Sequence, residues 1–139
     1  LAHNEYLYAA DTQPFDDDRR HVFTWRRGDL VNGATWRMEP ASQGRVRFFN
    51  TRHLEYLYAA NFSPLDEDRR RVFTWRRGRP VNNDDWLIED KGAKGVRLFK
   101  TGQQEYLYAA NHHLLDDDSR YVFTWRPRNP IRQGFWRIE

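Results

Sequence analysis

The hexapeptide EYLYAA occurs three times, at Glu5–Ala10, Glu55–Ala60 and Glu105–Ala110. A second motif, VFTWR, begins at Val22, Val72 and Val122, and a third anchor is the Trp of WRME, WLIE and WRIE at Trp36, Trp86 and Trp136. All three recur with a period of 50 residues and need no gap, so the 139-residue chain reads as three tandem copies of one unit. The units divide it at 1–44, 45–94 and 95–139, within a single domain spanning 1–139.

Each unit alternates strand-like and turn-like stretches. EYLYAA and VFTWR are rich in aromatic and β-branched residues, which suit a pleated, half-buried surface. The acid-rich connectors DTQPFDDDRR, NFSPLDEDRR and NHHLLDDDSR between them show no helical periodicity. RVRFFN (Arg45–Asn50) and GVRLFK (Gly95–Lys100) alternate apolar and polar residues as a further strand does. Four strands per unit and three units predict an all-β chain, a β-trefoil: a small closed barrel with a hairpin cap and pseudo-threefold symmetry. A propeller is excluded because three blades do not close a ring. Nothing like Arg45–Asn50 precedes Leu1, so eleven strands are expected where twelve would be complete. The expectation is that the native polypeptide continues upstream with a similar strand and a preceding domain, or that another chain completes the barrel.

The pattern EYLYAA, then DDDRRHVFTW, then TWRMEP, resembles the C-terminal trefoil domain of the insect thirty-kilodalton haemolymph lipoproteins and microvitellogenins. The resemblance covers essentially the whole chain and implies a secreted protein of blood or egg with storage, carrier or sugar-binding roles. More distantly, the layout is similar to ricin-type trefoil lectins. The departures are that the Q-x-W glutamine is absent and that Tyr8, Tyr58 and Tyr108 stand where the ligand Asp would fall.

Composition narrows the function classes. With 6 Trp, 7 Tyr and 9 Phe, the chain has too much ring surface to stay disordered. A net charge of +3, with acids and bases closely mixed, supports no nucleic-acid role by itself. There are no cysteines for disulfides or thiolate metal sites, and no apolar run approaches the ~20 residues of a membrane-spanning helix. Location is expected to be extracellular, with any signal peptide removed or upstream.

Alternation places Val22 and Thr24 on one face of their strand and Phe23 and Trp25 on the other. With Val22, Leu7 and Trp36 turned inward, Tyr8, Phe23 and Trp25 form an outer aromatic patch, repeated at Tyr58, Phe73, Trp75 and at Tyr108, Phe123, Trp125. Two readings stay open: the rings complete the packing beneath the connectors, or they offer flat π surfaces to the apolar C–H faces of sugars. In the second reading Asp11, Asn61 and Asn111 supply hydrogen bonds to hydroxyls, and glycans or glycoconjugates are the partners, at up to three equivalent shallow sites. Arg26, Arg76 and Arg126 complete the candidate set, either stacking and forking onto anions such as sulfated polysaccharide or pairing with Glu5, Glu55, Glu105 or with Glu39, Glu89, Glu139.

The clusters Asp16–Asp18, Asp66–Asp68 and Asp116–Asp118 lack the Gly that bends a calcium loop. They read as solvated turns with local pairs to Arg20, Arg70 and Arg120. Five histidines form no triplicated set, and Ser42, Ser63 and Ser119 lie in turn-like contexts. No catalytic residue, metal or cofactor is assigned, and a storage, carrier or structural role is the alternative to sugar binding.

Overall fold

The computed structural model describes residues 5–14, 16–26, 32–64, 69–76, 84–114, 119–126 and 134–139. Its strands are β1 (Glu5–Pro14), β2 (Arg19–Arg26), β3 (Trp36–Pro40), β4 (Val46–Asn50), β5 (Glu55–Pro64), β6 (Arg69–Arg76), β7 (Asp85–Asp90), β8 (Val96–Lys100), β9 (Glu105–Leu114) and β10 (Ser119–Trp125). Every EYLYAA opens a ten-residue strand that folds back on the VFTW strand of its own unit, with Leu7, Leu57 and Leu107 opposite Thr24, Thr74 and Thr124. At the eleventh expected position only an isolated bridge forms, Val96 to Trp136.

The all-β class holds, but the trefoil assignment is corrected by the pairing. The ladder runs β2–β6–β5–β4–β7–β8–β9–β10 and returns to β2, a closed antiparallel ring of eight strands. Two further strands attach to it, β1 on β2 and β3 on β4. The expected hairpin cap would stand apart from the barrel, whereas β2, β6 and β10 belong to the closed wall and also pair with one another in every combination. The physical reason is that alternation and period fix a strand's length and faces, while its edge partners depend on long-range contacts that a repeat unit does not encode.

Those contacts are ionic. Across the mutual pairing, Arg20 lies opposite Thr74, Arg70 opposite Thr124 and Arg120 opposite Thr24. Each Thr hydroxyl donates to the carboxylate of its own unit: Thr24 to Glu5 at 2.5 Å, Thr74 to Glu55 at 2.5 Å, Thr124 to Glu105 at 2.6 Å. The same carboxylates accept Nε of an arginine from another unit. Arg20 reaches Glu55 at 2.9 Å, Arg70 reaches Glu105 at 3.0 Å, and Arg120 reaches Glu5 at 2.8 Å. The guanidinium Nη1 of each also donates to the carbonyl of Ala10, Ala60 or Ala110. The strands aim these arginines inward, beside Val22, Val72 and Val122, and at the neighbouring unit; the expected local pairing with the acid cluster is thereby corrected for Arg20, while the clusters expected beside Arg70 and Arg120 lie outside the described residues.

Inside the ring, Val22, Leu57, Val72, Trp86, Leu107 and Val122 join Phe48 and Leu98 in one core. Leu57, Leu107 and Trp86 are wholly buried, and Leu7, Trp36 and Trp136 are partly buried against them. The three core indoles each have a partner: Trp36, Trp86 and Trp136 donate Nε1 to the carbonyls of Leu7, Leu57 and Leu107 at 2.9, 3.2 and 3.0 Å. Gly33 packs so closely that a Cβ there would sit 2.2 Å from the Ala9 carbonyl oxygen, so no side chain fits.

Truncating Trp86 to Ala is expected to cost ~3–5 kcal/mol in urea unfolding, through the cavity left and the lost indole bond. The same change at the partly exposed Trp36 should cost clearly less. Equal losses at the two positions, or a Trp86 loss below about 1 kcal/mol, would contradict the core described here.

Candidate functional site

The odd-numbered residues of β2, β6 and β10 face away from the core and build three aromatic groups. In the first, the Tyr8 ring lies 5.8 Å from Phe23 and 5.6 Å from Trp25, edge-on to the indole at 82°. In the second, Tyr58 lies 5.9 Å from Phe73 and 5.5 Å from Trp75 at 88°. In the third, Tyr108 lies 5.8 Å from Phe123 and 5.7 Å from Trp125 at 51°. Tilted and edge-on contacts at these separations suit the quadrupoles of the rings. The Phe rings are the floor of each group, 2%, 3% and 6% exposed, while Trp25, Trp75 and Trp125 are half-buried at its edge. Tyr58 is buried, and desolvation pushes its phenol up to about 12 against an opposing influence from Arg19, so it stays protonated at neutral pH.

Residues outside the sequence-derived set tie the groups together. His21 stacks on Phe23 and tilts against Phe73, both at 5.6 Å, and Tyr121 meets Phe23 at 5.5 Å and Phe123 at 6.0 Å. Arg19 lies over Phe73 and Trp75 at 5.8 Å, and Arg69 over Phe123 at 5.9 Å. The signal for all four was the parity they share with Phe23 and Trp25, carried back along the strand. It was masked by their position in what reads as an acidic, solvated connector.

The polar candidates divide. Asp11 is exposed, 3.0 Å from Nε2 of His53 and 3.9 Å from Nε of Arg52. Arg76 donates to the Asp17 carbonyl at 2.7 Å and Arg126 to the Gln103 carbonyl at 3.1 Å, so both clamp turns. Glu5, Glu55 and Glu105 are taken by Arg120, Arg20 and Arg70 instead. The side chains of Arg26, Asn61 and Asn111 lie outside the described residues, as do Asp66–Asp68 and Asp116–Asp118. In the first acid cluster Asp16 accepts from the backbone of Asp18 and Arg19 and forks onto the Arg19 guanidinium. That guanidinium holds its carboxyl below the usual range despite some desolvation. Among the described residues no group of three His, Asp or Glu is placed to hold a metal ion.

No family model and no curated protein matches the sequence. Solved structures do match in fold. A salivary protein of Culex quinquefasciatus from the Cysteine and Tryptophan-Rich family superposes with a TM-score of 0.72 at 19% identity, covering 97% of this chain and 85% of that one. The designed 3-fold symmetric protein ThreeFoil gives 0.75 at 16% identity, covering 96% and 95%. The Polyporus squamosus lectin, bound to a sialylated trisaccharide epitope, gives 0.69 at 14% identity, covering 94% of this chain and 42% of that one. At these identities the likeness is one of fold. No helix among the described residues is long and apolar enough to cross a membrane.

His21 in the aromatic layer and His53 beside Asp11 are both held below the ordinary value of 6.5. Burial is the larger cause for each, joined by the charge of Arg71 at His21 and of Arg20 at His53, where Asp11 and Glu55 push the other way. Below 6.5 the unfolded chain therefore binds more protons than the folded one, and stability falls as pH drops. The expected outcome is a Tm that declines as the pH falls through the window below about 6.5 and a shallower decline in the His21→Gln/His53→Gln variant. A Tm flat across that window, or an unchanged slope in the variant, would contradict it.

Proposed function

We propose that the protein is a non-catalytic, lectin-like carbohydrate-binding module acting outside the cell, with up to three repeated shallow sites. The observation that carries this reading is the threefold recurrence of a half-buried indole held by a Tyr ring at 5.5–5.7 Å, at the same place in every unit. A fixed indole offers a sugar ring an apolar platform with little entropy left to lose. Asp11, 3.0 Å from His53 Nε2, supplies an acceptor at the strand exit in the first unit, and Asn61 and Asn111 occupy the same position in the others. Three weak sites on one rigid barrel gain strength against a target that presents sugars at matching spacing. A non-catalytic role fits the carboxylates: Glu5, Glu55 and Glu105 are each engaged by an arginine and a threonine, which leaves no free acid–base pair there.

A storage or carrier role, in which the aromatic groups serve packing alone, is favoured by one observation. Phe23, Phe73 and Phe123 are buried, so each group already has a dry floor without a ligand.

A glycan array read with intrinsic Trp fluorescence separates the two. Trp25→Ala, Trp75→Ala and Trp125→Ala together should weaken binding to immobilised glycans at least ~100-fold, because avidity multiplies the loss at each site, with Tm lowered by only a few degrees. No glycan signal from the parent, with a collapse of Tm in the variant, would support the packing role. Binding confined to sulfated glycans and abolished by salt would move the site to the arginines.

A further inference from the structure

One buried cation makes the third unit differ from the second. Arg97 of β8 is 6% exposed, and among the described residues its Nε and Nη2 meet no hydrogen-bond acceptor. The guanidinium lies over the Tyr106 ring at 3.4 Å, with the Phe135 ring 5.8 Å away. Glu89, opposite Arg97 on β7, is turned elsewhere: it accepts the Tyr106 hydroxyl at 3.1 Å and pairs with Lys91 at 3.1 Å. A guanidinium keeps its charge when it loses water, so its donors are ordinarily forked onto an anion.

The repeat shows which anion suits it. Arg47 stands one period earlier, on β4, and its Nε lies 3.1 Å from the Asp84 carboxylate, with the charge of Asp85 adding to the hold. Moved on by 50 residues, Asp84 and Asp85 become Gly134 and Phe135, which carry no charge. The backbone frame is kept, since Val46 faces Trp86 and Val96 faces Trp136. The third unit has thus retained the cation and not its carboxylate. Arg97 also adjoins one of the three indoles. Tyr106 on β9 is opposite Trp125 on β10 and Phe99 on β8, and opposed residues set their side chains on one face. Arg97 shares the parity of Phe99, so it belongs to that face too. From β10 to β8 is two strand spacings, about 10 Å, within the span of a disaccharide.

We propose that the third unit takes an acidic oligosaccharide, with one sugar ring on Trp125 and the carboxylate of the next on Nε and Nη2 of Arg97. This rests on the reading of Trp125 as a sugar platform, and it names the substrate class of that site. The planar, side-on fork of a guanidinium matches a carboxylate with two parallel hydrogen bonds. Stacking on Tyr106 fixes the plane of the fork before the ligand arrives. Phe135, itself only partly buried, is the ring that turns aside to admit the carboxylate. In the second unit Asp84 already holds Arg47, so the platform at Trp75 takes neutral sugar and the sites are not equivalent.

The test compares cellobiouronate with neutral cellobiose, which differ in one carboxylate, by calorimetry on the full chain at constant ionic strength. The parent should bind cellobiouronate at least ~10-fold more tightly, as a charge-assisted fork in a dry site provides. Arg97→Met, which keeps an apolar stem against Tyr106, should bring the two affinities within ~2-fold of each other. In Gly134→Asp, which copies Asp84 one period on, the new carboxylate should occupy the fork and remove the preference in the same way. Trp125→Ala should weaken both disaccharides. Equal affinities in the parent overturn the carboxylate site and leave the sugar platform standing. A preference that survives Arg97→Met or Gly134→Asp, or cellobiouronate held as tightly without Trp125, overturns it as well. If neither disaccharide binds at millimolar concentration, the platform and the site built on it fall together.

Discussion

Three carboxylates hold this molecule in register. Glu5, Glu55 and Glu105 each accept a threonine hydroxyl from their own unit and an arginine from another, so the contacts run from the first unit to the second, to the third and back to the first. Their side chains are 10%, 5% and 3% exposed, which removes them from most of the water that would otherwise solvate the charge. Such a carboxylate is tolerable only with its lone pairs filled, and here geometry fills them. An isolated unit would carry a Glu and an Arg with no counterpart. The ionic closure therefore makes three copies fold together where one would not.

The rest of the architecture follows from that closure. Fixing Arg20, Arg70 and Arg120 opposite Thr74, Thr124 and Thr24 sets the register of β2, β6 and β10 against one another. With register set, even-numbered side chains fall into the core and odd-numbered ones onto the outer aromatic layer. The indoles proposed to meet sugars are thus held in place by ion pairs on the opposite face of the same strands.

The repeat, the strands and the inward face were legible because each is a local property. EYLYAA and VFTWR declare their pleat through alternation, and Leu57, Val72 and Trp86 are buried as that pattern requires. Edge partners were not legible. Nothing in the period says that β2, β6 and β10 pair mutually, so a hairpin cap was expected where a continuous wall of eight strands closes. Arg20 sits in DDDRR, a stretch that reads as a solvated turn, and its inward aim shows only once β2 is known to begin at Arg19. For the candidate site, the Tyr, Phe and Trp members were readable from parity. His21, Tyr121, Arg19 and Arg69 share that parity but were hidden by charged neighbours, and their contacts join different units.

A double-mutant cycle on Arg20 and Glu55 tests the closure most directly, using Arg20→Met, Glu55→Gln and the pair in urea unfolding. Each single change leaves a polar or charged group behind in a dry site and should cost ~3–5 kcal/mol, whereas the double variant should lose far less than the sum, with a coupling of at least ~2 kcal/mol. Additivity within ~0.5 kcal/mol would show that the two side chains act independently, and the account of a barrel locked by its carboxylates would fail.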